Sequence, residues 1–135
     1  MQIKFFSILI VMVVLSTSLF ATELNWSHDY KKAFKLAKKE HKSVYLFVGA
    51  DNCRFCDKFK ATALQNRCVL TRLKQDYILL YMSRDQDKIP SQYETVGVPR
   101  HYFLDADEHV FYEALGGMDV QGFKLALDEA ELSRD

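Results

Sequence analysis

Blocks of hydrophobic and polar residues follow one another along the chain with the spacings of helices and strands. In residues 29–39 apolar positions recur at i, i+3, i+4 and i+7, which predicts a helix with one buried face. That face comprises Tyr30, Ala33, Phe34 and Ala37. Residues 44–48 and 77–82 are unbroken apolar runs rich in β-favouring side chains. Such runs are typical of strands buried on both faces of a sheet.

Two further helical patterns lie between these predicted strands. The first begins at Cys53, and the second follows a polar interruption at Asn66 and Arg67. The apolar positions are Phe55, Cys56, Phe59 and Ala63 in the first pattern, and Val69, Leu70 and Leu73 in the second.

The last third of the chain predicts a short helix, a hairpin and a closing helix. Pro90 and Gly97 suit the start and the end of a helix of one or two turns. Residues 101–104 and 110–112 predict two strands, which the acidic turn between them joins as a hairpin. After a glycine pair, residues 120–132 predict an amphipathic helix. Its side chains available for burial are Phe123, Leu125, Leu127 and Ala130.

This order of elements predicts an α/β fold with a mixed central β-sheet flanked by helices on both faces. Alternating strands and helices favour parallel pairing, and the late hairpin adds antiparallel pairing. The 135 residues suffice for one domain, and 49% of them are hydrophobic, enough for a packed core. The 18 basic and 18 acidic residues balance, so the sequence offers no electrostatic footprint for a nucleic-acid partner.

The first 21 residues have the layout of a secretory signal peptide. Lys4 precedes the mostly apolar residues 5–15, and small residues lead to Ala21. We expect cleavage after Ala21, which leaves residues 22–135 as the folded domain. Cleavage after Ser18 is the alternative. An uncleaved membrane anchor is the other interpretation, although the apolar run is short for a span of about 20 residues. Export would place the protein in the periplasm, so every cysteine would lie in an oxidising compartment.

The Cys53–Cys56 motif lies where a predicted buried strand gives way to a helix. Free backbone N–H groups and the helix dipole stabilise a thiolate at such a position. Cys53 is therefore the expected nucleophile of thiol–disulfide exchange, and Cys56, one turn further on, the resolving thiol. Arg54 adds a positive charge that should lower the pKa of the thiol.

Other interpretations of the motif are a metal site, a haem attachment site and a structural disulfide. Asp57 stands where c-type haem attachment requires histidine. A zinc site needs four ligands, and outside the motif only Cys68 and four scattered histidines are available, so no metal is expected. Structural disulfides more often close long loops. Cys68 itself is expected to be a half-buried free thiol, with a regulatory or intermolecular disulfide as the alternative.

The sequence resembles the thioredoxin superfamily from about residue 26 to residue 132. The resemblance rests on the strand, the Cys53–Cys56 helix, Val98-Pro99, the hairpin and the last helix. Within the superfamily it resembles small exported proteins similar to the C-terminal domain of bacterial thiol–disulfide interchange proteins. The resemblance implies a thioredoxin-like fold, a cis Pro99 opposite the disulfide, substrate pairing through the Val98 backbone, and no metal or organic cofactor. Arg100 and His101 are then expected to flank the active surface.

Four residues depart from cytosolic thioredoxin in ways that bear on the redox potential, and Arg54 and Phe55 are expected to tune it. Arg54 and Phe55 replace the Gly-Pro pair between the cysteines, and Asn52 replaces an aromatic residue. Phe47 stands where thioredoxin has a buried aspartate that helps to deprotonate the resolving thiol. Water, Asp51 or Asp57 would then have to accept the proton of Cys56.

The residues and the resemblance together predict an exported protein thiol–disulfide oxidoreductase. We expect it to reduce disulfides of periplasmic proteins, with a membrane thiol carrier as electron donor and no membrane association beyond the signal peptide. The alternatives are a periplasmic disulfide oxidase or isomerase, and a non-enzymatic thioredoxin-fold protein for binding or metal delivery.

Overall fold

Five strands form one mixed sheet in the computed structural model, which describes residues 24–135. They are Trp26–Ser27 (β1), Ser43–Gly49 (β2), Tyr77–Ser83 (β3), Arg100–Leu104 (β4) and Val110–Leu115 (β5). The strand order is β1-β3-β2-β4-β5. Strands β1, β3 and β2 are parallel, whereas β4 runs antiparallel to both β2 and β5. The predicted mixed α/β sheet is confirmed.

The helices begin at residues whose side chains accept hydrogen bonds from the first helical turn. They are Tyr30–Glu40 (α1), Arg54–Ala61 (α2), Arg67–Asp76 (α3) and Val120–Arg134 (α4), with a 3₁₀ turn at Ala63–Gln65. Asp29, Asn66 and Asp119 cap α1, α3 and α4. Each cap satisfies backbone N–H groups that have no partner within the helix.

The alternating side chains of β2 divide the core into two layers, because successive residues of a strand point to opposite faces. Val44, Leu46 and Val48 pack on the side of α1, with its Ala33, Phe34 and Ala37. Tyr45 and Phe47 pack on the other side, against α2, α3 and α4. Helices thus cover both faces, as predicted, and the sheet is completely buried along β2.

The segment from Pro90 to Gly97 is not helical, so the short helix predicted there is wrong. It forms turns, with a single backbone bond from the Tyr93 N–H to the Pro90 carbonyl. The Glu94 carboxylate accepts hydrogen bonds from the N–H groups of Thr95 and Val96. Those N–H groups are therefore not available to a helical ladder.

The edge strand β1 and the buried face of α4 also differ from the prediction. β1 is only two residues long, too short to show a periodic pattern, and the sequence did not predict it. Leu125 was expected in the core, but its side chain is exposed, and Ala126 is buried instead. A step of two residues along a helix turns by about 200°, so Leu125 faces away from the buried Phe123.

The predicted signal peptide lies outside the described residues. Within residues 24–135, no helix has the length and apolar character needed to cross a membrane.

Candidate functional site

Cys53 and Cys56 are joined by a disulfide at the beginning of α2, with Cα atoms 5.2 Å apart. Cys53 is the N-cap residue of this eight-residue helix and has extended backbone angles. Its Sγ atom accepts a hydrogen bond from the Cys56 backbone N–H at 3.1 Å. Cys53 is half-buried and Cys56 fully buried, so Cys53 is the sulfur that a large partner could reach.

The turn that leads from β2 to the motif is tied to the end of β3. Asn52 has a φ of 54°, a left-handed conformation that asparagine tolerates better than most residues. The Asp51 backbone N–H donates to the Asp85 carboxylate at 2.8 Å. The Asp51 carboxylate accepts hydrogen bonds from the Ser83 hydroxyl and the Gln86 amide. The carboxylate of Asp51, a predicted proton acceptor, is therefore engaged by β3 and the loop that follows it.

Both residues between the cysteines are exposed. The Arg54 guanidinium carbon lies 5.4 Å from the centre of the Phe55 ring, and the Phe55 side chain is 56% exposed. Asp57, the other predicted proton acceptor, is exposed in the first turn of α2. The motif therefore presents a cation and an aromatic ring to solvent.

Val98 and Pro99 lead into β4 through a cis peptide bond. Pro99 is buried and Val98 is half-buried. The side chains of Val98 and Cys53 both pack at the border of the core layer beneath α2. The Pro99 carbonyl accepts a hydrogen bond from the Gly116 N–H at 2.9 Å, which joins this segment to the loop after β5.

An aromatic cluster occupies the core around Phe47, where thioredoxin has its buried aspartate. The Phe47 ring is fully buried and makes edge contacts with Phe59 and Tyr81. The Lys60 ammonium lies 4.5 Å from the centre of the Tyr81 ring and 5.7 Å from that of Phe47. The side chain at this position can pack but cannot accept a proton.

His101 is completely buried, so the prediction that it flanks the active surface is wrong. Its Nε2 lies 2.9 Å from the Gly116 carbonyl oxygen, and its Nδ1 lies 2.6 Å from the Tyr45 hydroxyl. A carbonyl only accepts, so Nε2 carries the proton and donates, while Nδ1 accepts from the Tyr45 hydroxyl. Burial lowers the pKa of His101 to about 4, although the bond to Gly116 opposes part of that effect.

The sequence contained one signal for the burial of His101. His101 and Phe103 are two residues apart on β4, so they face the same side of the sheet. They pair in register with Phe47 and Tyr45, which belong to a run predicted as buried. Arg100, by contrast, is half-buried, and its Nε donates to the Gly97 carbonyl at 3.1 Å.

The loop after β5 connects the buried histidine to the redox motif. Gly116 bonds to His101 through its carbonyl and to Pro99 through its N–H. Its φ is 106°, which favours glycine. A Cβ atom on Gly117 would lie 3.0 Å from the Phe55 carbonyl oxygen. Glycine at residue 117 therefore permits the close approach of this loop to α2.

Cys68 lies on α3 and is exposed, so the prediction of a half-buried thiol is wrong. It precedes the buried Val69, and the helical turn places the two side chains in different directions. In residues 24–135 no three His, Cys, Asp or Glu side chains come together as a possible metal site.

A family model described as thioredoxin-like matches residues 25–106 of this chain. A thioredoxin from Thermus thermophilus superposes with a TM-score of 0.65 and 21% identity, covering 81% of this chain and 85% of that one. The oxidised C-terminal domain of DsbD from Neisseria meningitidis gives a TM-score of 0.65 and 21% identity, covering 78% of this chain and 99% of that domain. These structures have the same fold.

Sequence comparison gives two further relatives, each matched over a shorter region. An uncharacterized protein from Archaeoglobus fulgidus is 23% identical over 83 residues, which are 60% of this chain and 65% of that protein. Spermatogenesis-associated protein 20 from Mus musculus is 29% identical over 63 residues, which are 47% of this chain and 8% of that protein. The aligned region is therefore less than two thirds of the length of either relative.

Proposed function

Because this chain belongs to the thioredoxin-like family, we propose that it is an exported thiol–disulfide oxidoreductase that reduces disulfides of periplasmic proteins. The observation that carries the proposal is the Cys53–Cys56 pair at the start of α2, with Cys53 half-buried and Cys56 fully buried. An accessible sulfur that accepts a backbone N–H at a helix N-terminus is suited to be a stabilised thiolate. A buried sulfur one turn away is suited to complete the exchange.

The reduced protein would act in two exchange steps. The Cys53 thiolate attacks one sulfur of the substrate disulfide, a mixed disulfide forms, and the other substrate sulfur leaves as a thiolate that takes up a proton. The Cys56 thiol loses its proton and attacks Cys53, which releases the second substrate thiol. The substrate gains two electrons, and the protein returns to the Cys53–Cys56 disulfide. With Phe47 apolar, water or the exposed Asp57 receives the Cys56 proton.

Val98 and Pro99 are proposed to hold the substrate beside the motif. The Val98 backbone would pair with an extended substrate segment, as in strand addition. Arg54 and Phe55, both exposed, would tune the potential and contact the substrate. We expect Pro99→Ala to slow release of the mixed disulfide, which would accumulate on Cys53 and be visible by mass spectrometry.

Continued turnover requires a donor that returns two electrons to the disulfide. A membrane dithiol carrier is the proposed donor, since the periplasm supplies no soluble reducing pool. Export would depend on residues 1–21, and no metal or organic cofactor is proposed. Neighbouring structures carry the names DsbH oxidoreductase and DsbD C-terminal domain, which supports exchange chemistry as the reaction class.

Reduction of insulin by dithiothreitol-recycled protein tests the reaction, with Cys53→Ser as the matched variant. We expect Cys53→Ser to be inactive and Cys56→Ser to accumulate mixed disulfides with substrates. Equal activity of wild type and Cys53→Ser would reject the enzyme and leave a non-enzymatic binding or metal-delivery role. The reduction potential of the Cys53–Cys56 couple tests the direction of electron flow. A value of about −120 mV, typical of strong oxidants, would reject the reductase in favour of an oxidase or isomerase.

A further inference from the structure

The loop Glu94–Gly97, directly before Val98, is held by side-chain hydrogen bonds and not by regular secondary structure. The Glu94 carboxylate accepts from the backbone N–H groups of Thr95 and Val96 at 3.0 and 2.9 Å. Arg84 Nη1 donates to the carbonyl oxygens of the same two residues at 3.2 and 2.8 Å. Glu94 thus bonds the backbone N–H groups of Thr95 and Val96, and Arg84 bonds their carbonyl groups.

Both ends of the loop are fixed to the sheet. The Tyr102 hydroxyl donates to the Glu94 carbonyl at 2.9 Å, and Arg100 Nε donates to the Gly97 carbonyl at 3.1 Å. Tyr102 and Arg100 belong to β4. The loop therefore has a defined path although it lies on the surface.

Arg84 is anchored independently of the loop. Its backbone N–H donates to the Gly49 carbonyl, the last residue of β2, at 3.0 Å. Its Nε lies 4.0 Å from the Asp85 carboxylate, a charge contact beyond hydrogen-bonding distance. The arginine thus joins the Thr95–Val96 backbone to the end of β2, four residues before Cys53.

The loop carries an apolar side chain out into solvent. Val96 is 83% exposed, the highest value among the large hydrophobic residues of the described part of the chain. A single exposed apolar residue is ordinary, but the neighbouring Leu115 is also 57% exposed. Leu115 packs against Gly97, where an added Cβ would lie 3.1 Å from its Cδ1. Two exposed apolar side chains thus lie close to Gly97: Val96 precedes it in the chain, and Leu115 packs against it.

We propose that Arg84 and Glu94 are positioning residues that hold Val96 in place to contact an apolar side chain of the substrate beside its reacting disulfide. The inference rests on the proposed function and adds to it a preference for substrates with an apolar side chain beside the reacting disulfide. A loop that is already ordered loses little conformational freedom when the substrate binds. Its path also fixes where the substrate strand must lie relative to Val98.

The test uses two synthetic peptide disulfides that differ only in having Leu or Ser next to the reacting cysteine. Pre-reduced protein is mixed with each peptide, and the second-order rate constant is measured by stopped flow. We expect wild type to prefer the Leu peptide. Val96→Ser should lower the rate with that peptide about tenfold, by loss of apolar contact, and leave the Ser peptide unchanged.

Arg84→Met should lower the rate with the Leu peptide by several-fold without changing the reactivity of Cys53 toward iodoacetamide. Glu94→Ala should behave likewise, whereas Glu94→Gln, which keeps a carbonyl acceptor, should retain the wild-type preference. Arg72→Met is the matched control, because Arg72 is a partly exposed arginine that binds Asp128 and Glu131. It should leave both rates unchanged.

The outcomes separate the inference from the function on which it rests. Equal rates with both peptides in wild type, or an equal fall with both peptides in Val96→Ser, would overturn the inference and leave the reductase intact. An unchanged preference in both Arg84→Met and Glu94→Ala would overturn the positioning role. A wild-type protein that reduces neither peptide nor insulin would overturn the proposed function together with the inference.

Discussion

Acidification should destabilise this protein through the protonation of His101. The imidazole is buried among aromatic rings and is neutral, because its two nitrogens are matched to one donor and one acceptor. An imidazolium would place a second N–H against the Tyr45 hydroxyl oxygen and a charge in an apolar core. The perturbation we consider is a fall in pH from 7.5 to 4.5, in wild type and in His101→Gln.

The magnitude follows from the two pKa values of His101. The pKa is about 4 in the folded protein and 6.5 for an unperturbed histidine. The unfolded chain therefore takes up a proton below pH 6.5, while the folded protein does so only near pH 4. The contribution of His101 to the free energy of unfolding is fully present above pH 6.5 and is lost as the pH falls toward 4. Below that pH this group causes no further loss. One pH unit is worth about 1.4 kcal/mol, so the full loss is about 3 kcal/mol.

Urea unfolding at several values between pH 4.5 and 7.5 measures the effect. Other acidic groups with a lowered pKa, such as Glu94 and Asp105, contribute to both proteins. The difference between wild type and His101→Gln therefore isolates the histidine. On acidification, the free energy of unfolding of wild type should fall by about 2 to 3 kcal/mol more than that of the variant. Parallel loss of stability in the two proteins from pH 6.5 to 4.5 would refute the reasoning.

Three further substitutions test other parts of the structure. Gly117→Ala should destabilise by about 1–3 kcal/mol through overpacking against the Phe55 carbonyl and should shift the redox potential; an unchanged potential would mean that the loop does not influence the motif. Asp119→Ala should cost about 1 kcal/mol by removing the N-cap of α4, as measured by urea unfolding, whereas Asp119→Ser should retain most of the stability. Cys68→Ser should change stability by no more than about 0.5 kcal/mol and leave insulin reduction unaffected; loss of activity would implicate the third thiol in exchange.

The apolar patterns predicted most of the elements because local spacing decides which side chains share a face. Residues 44–48 and 77–82 were predicted as buried strands and are confirmed within β2 and β3. The hairpin was also predicted, and the Asp105 side chain stabilises its turn by accepting from the Asp107 and His109 N–H groups. The mixed sheet and the family resemblance are likewise confirmed.

The helix predicted after Pro90 is wrong because contacts distant in the sequence and side chains that bond the backbone compete with the helix. A helix was predicted after Pro90, but Tyr93 is buried and its hydroxyl lies 2.7 Å from that of Tyr30. The Glu94 carboxylate also occupies two backbone N–H groups. Neither interaction appears in a pattern of hydrophobic and polar positions: the contact with Tyr30 depends on where α1 lies, and the bonds of Glu94 depend on the conformation of the loop itself.

The sequence by itself determined where the Cys53–Cys56 motif lies in the fold. A buried strand, a short turn and a helix that begins at Cys53 follow from local spacing, and the same spacing places Cys56 on the inner face of that helix. Only the tertiary structure decided what surrounds the disulfide. The β4–β2 register buries His101 beside Tyr45, and its bond to Gly116 joins it to the loop that contacts Phe55. These contacts join residues at least 15 positions apart in the sequence, so they exist only once the strands have paired and the helices have packed on the sheet.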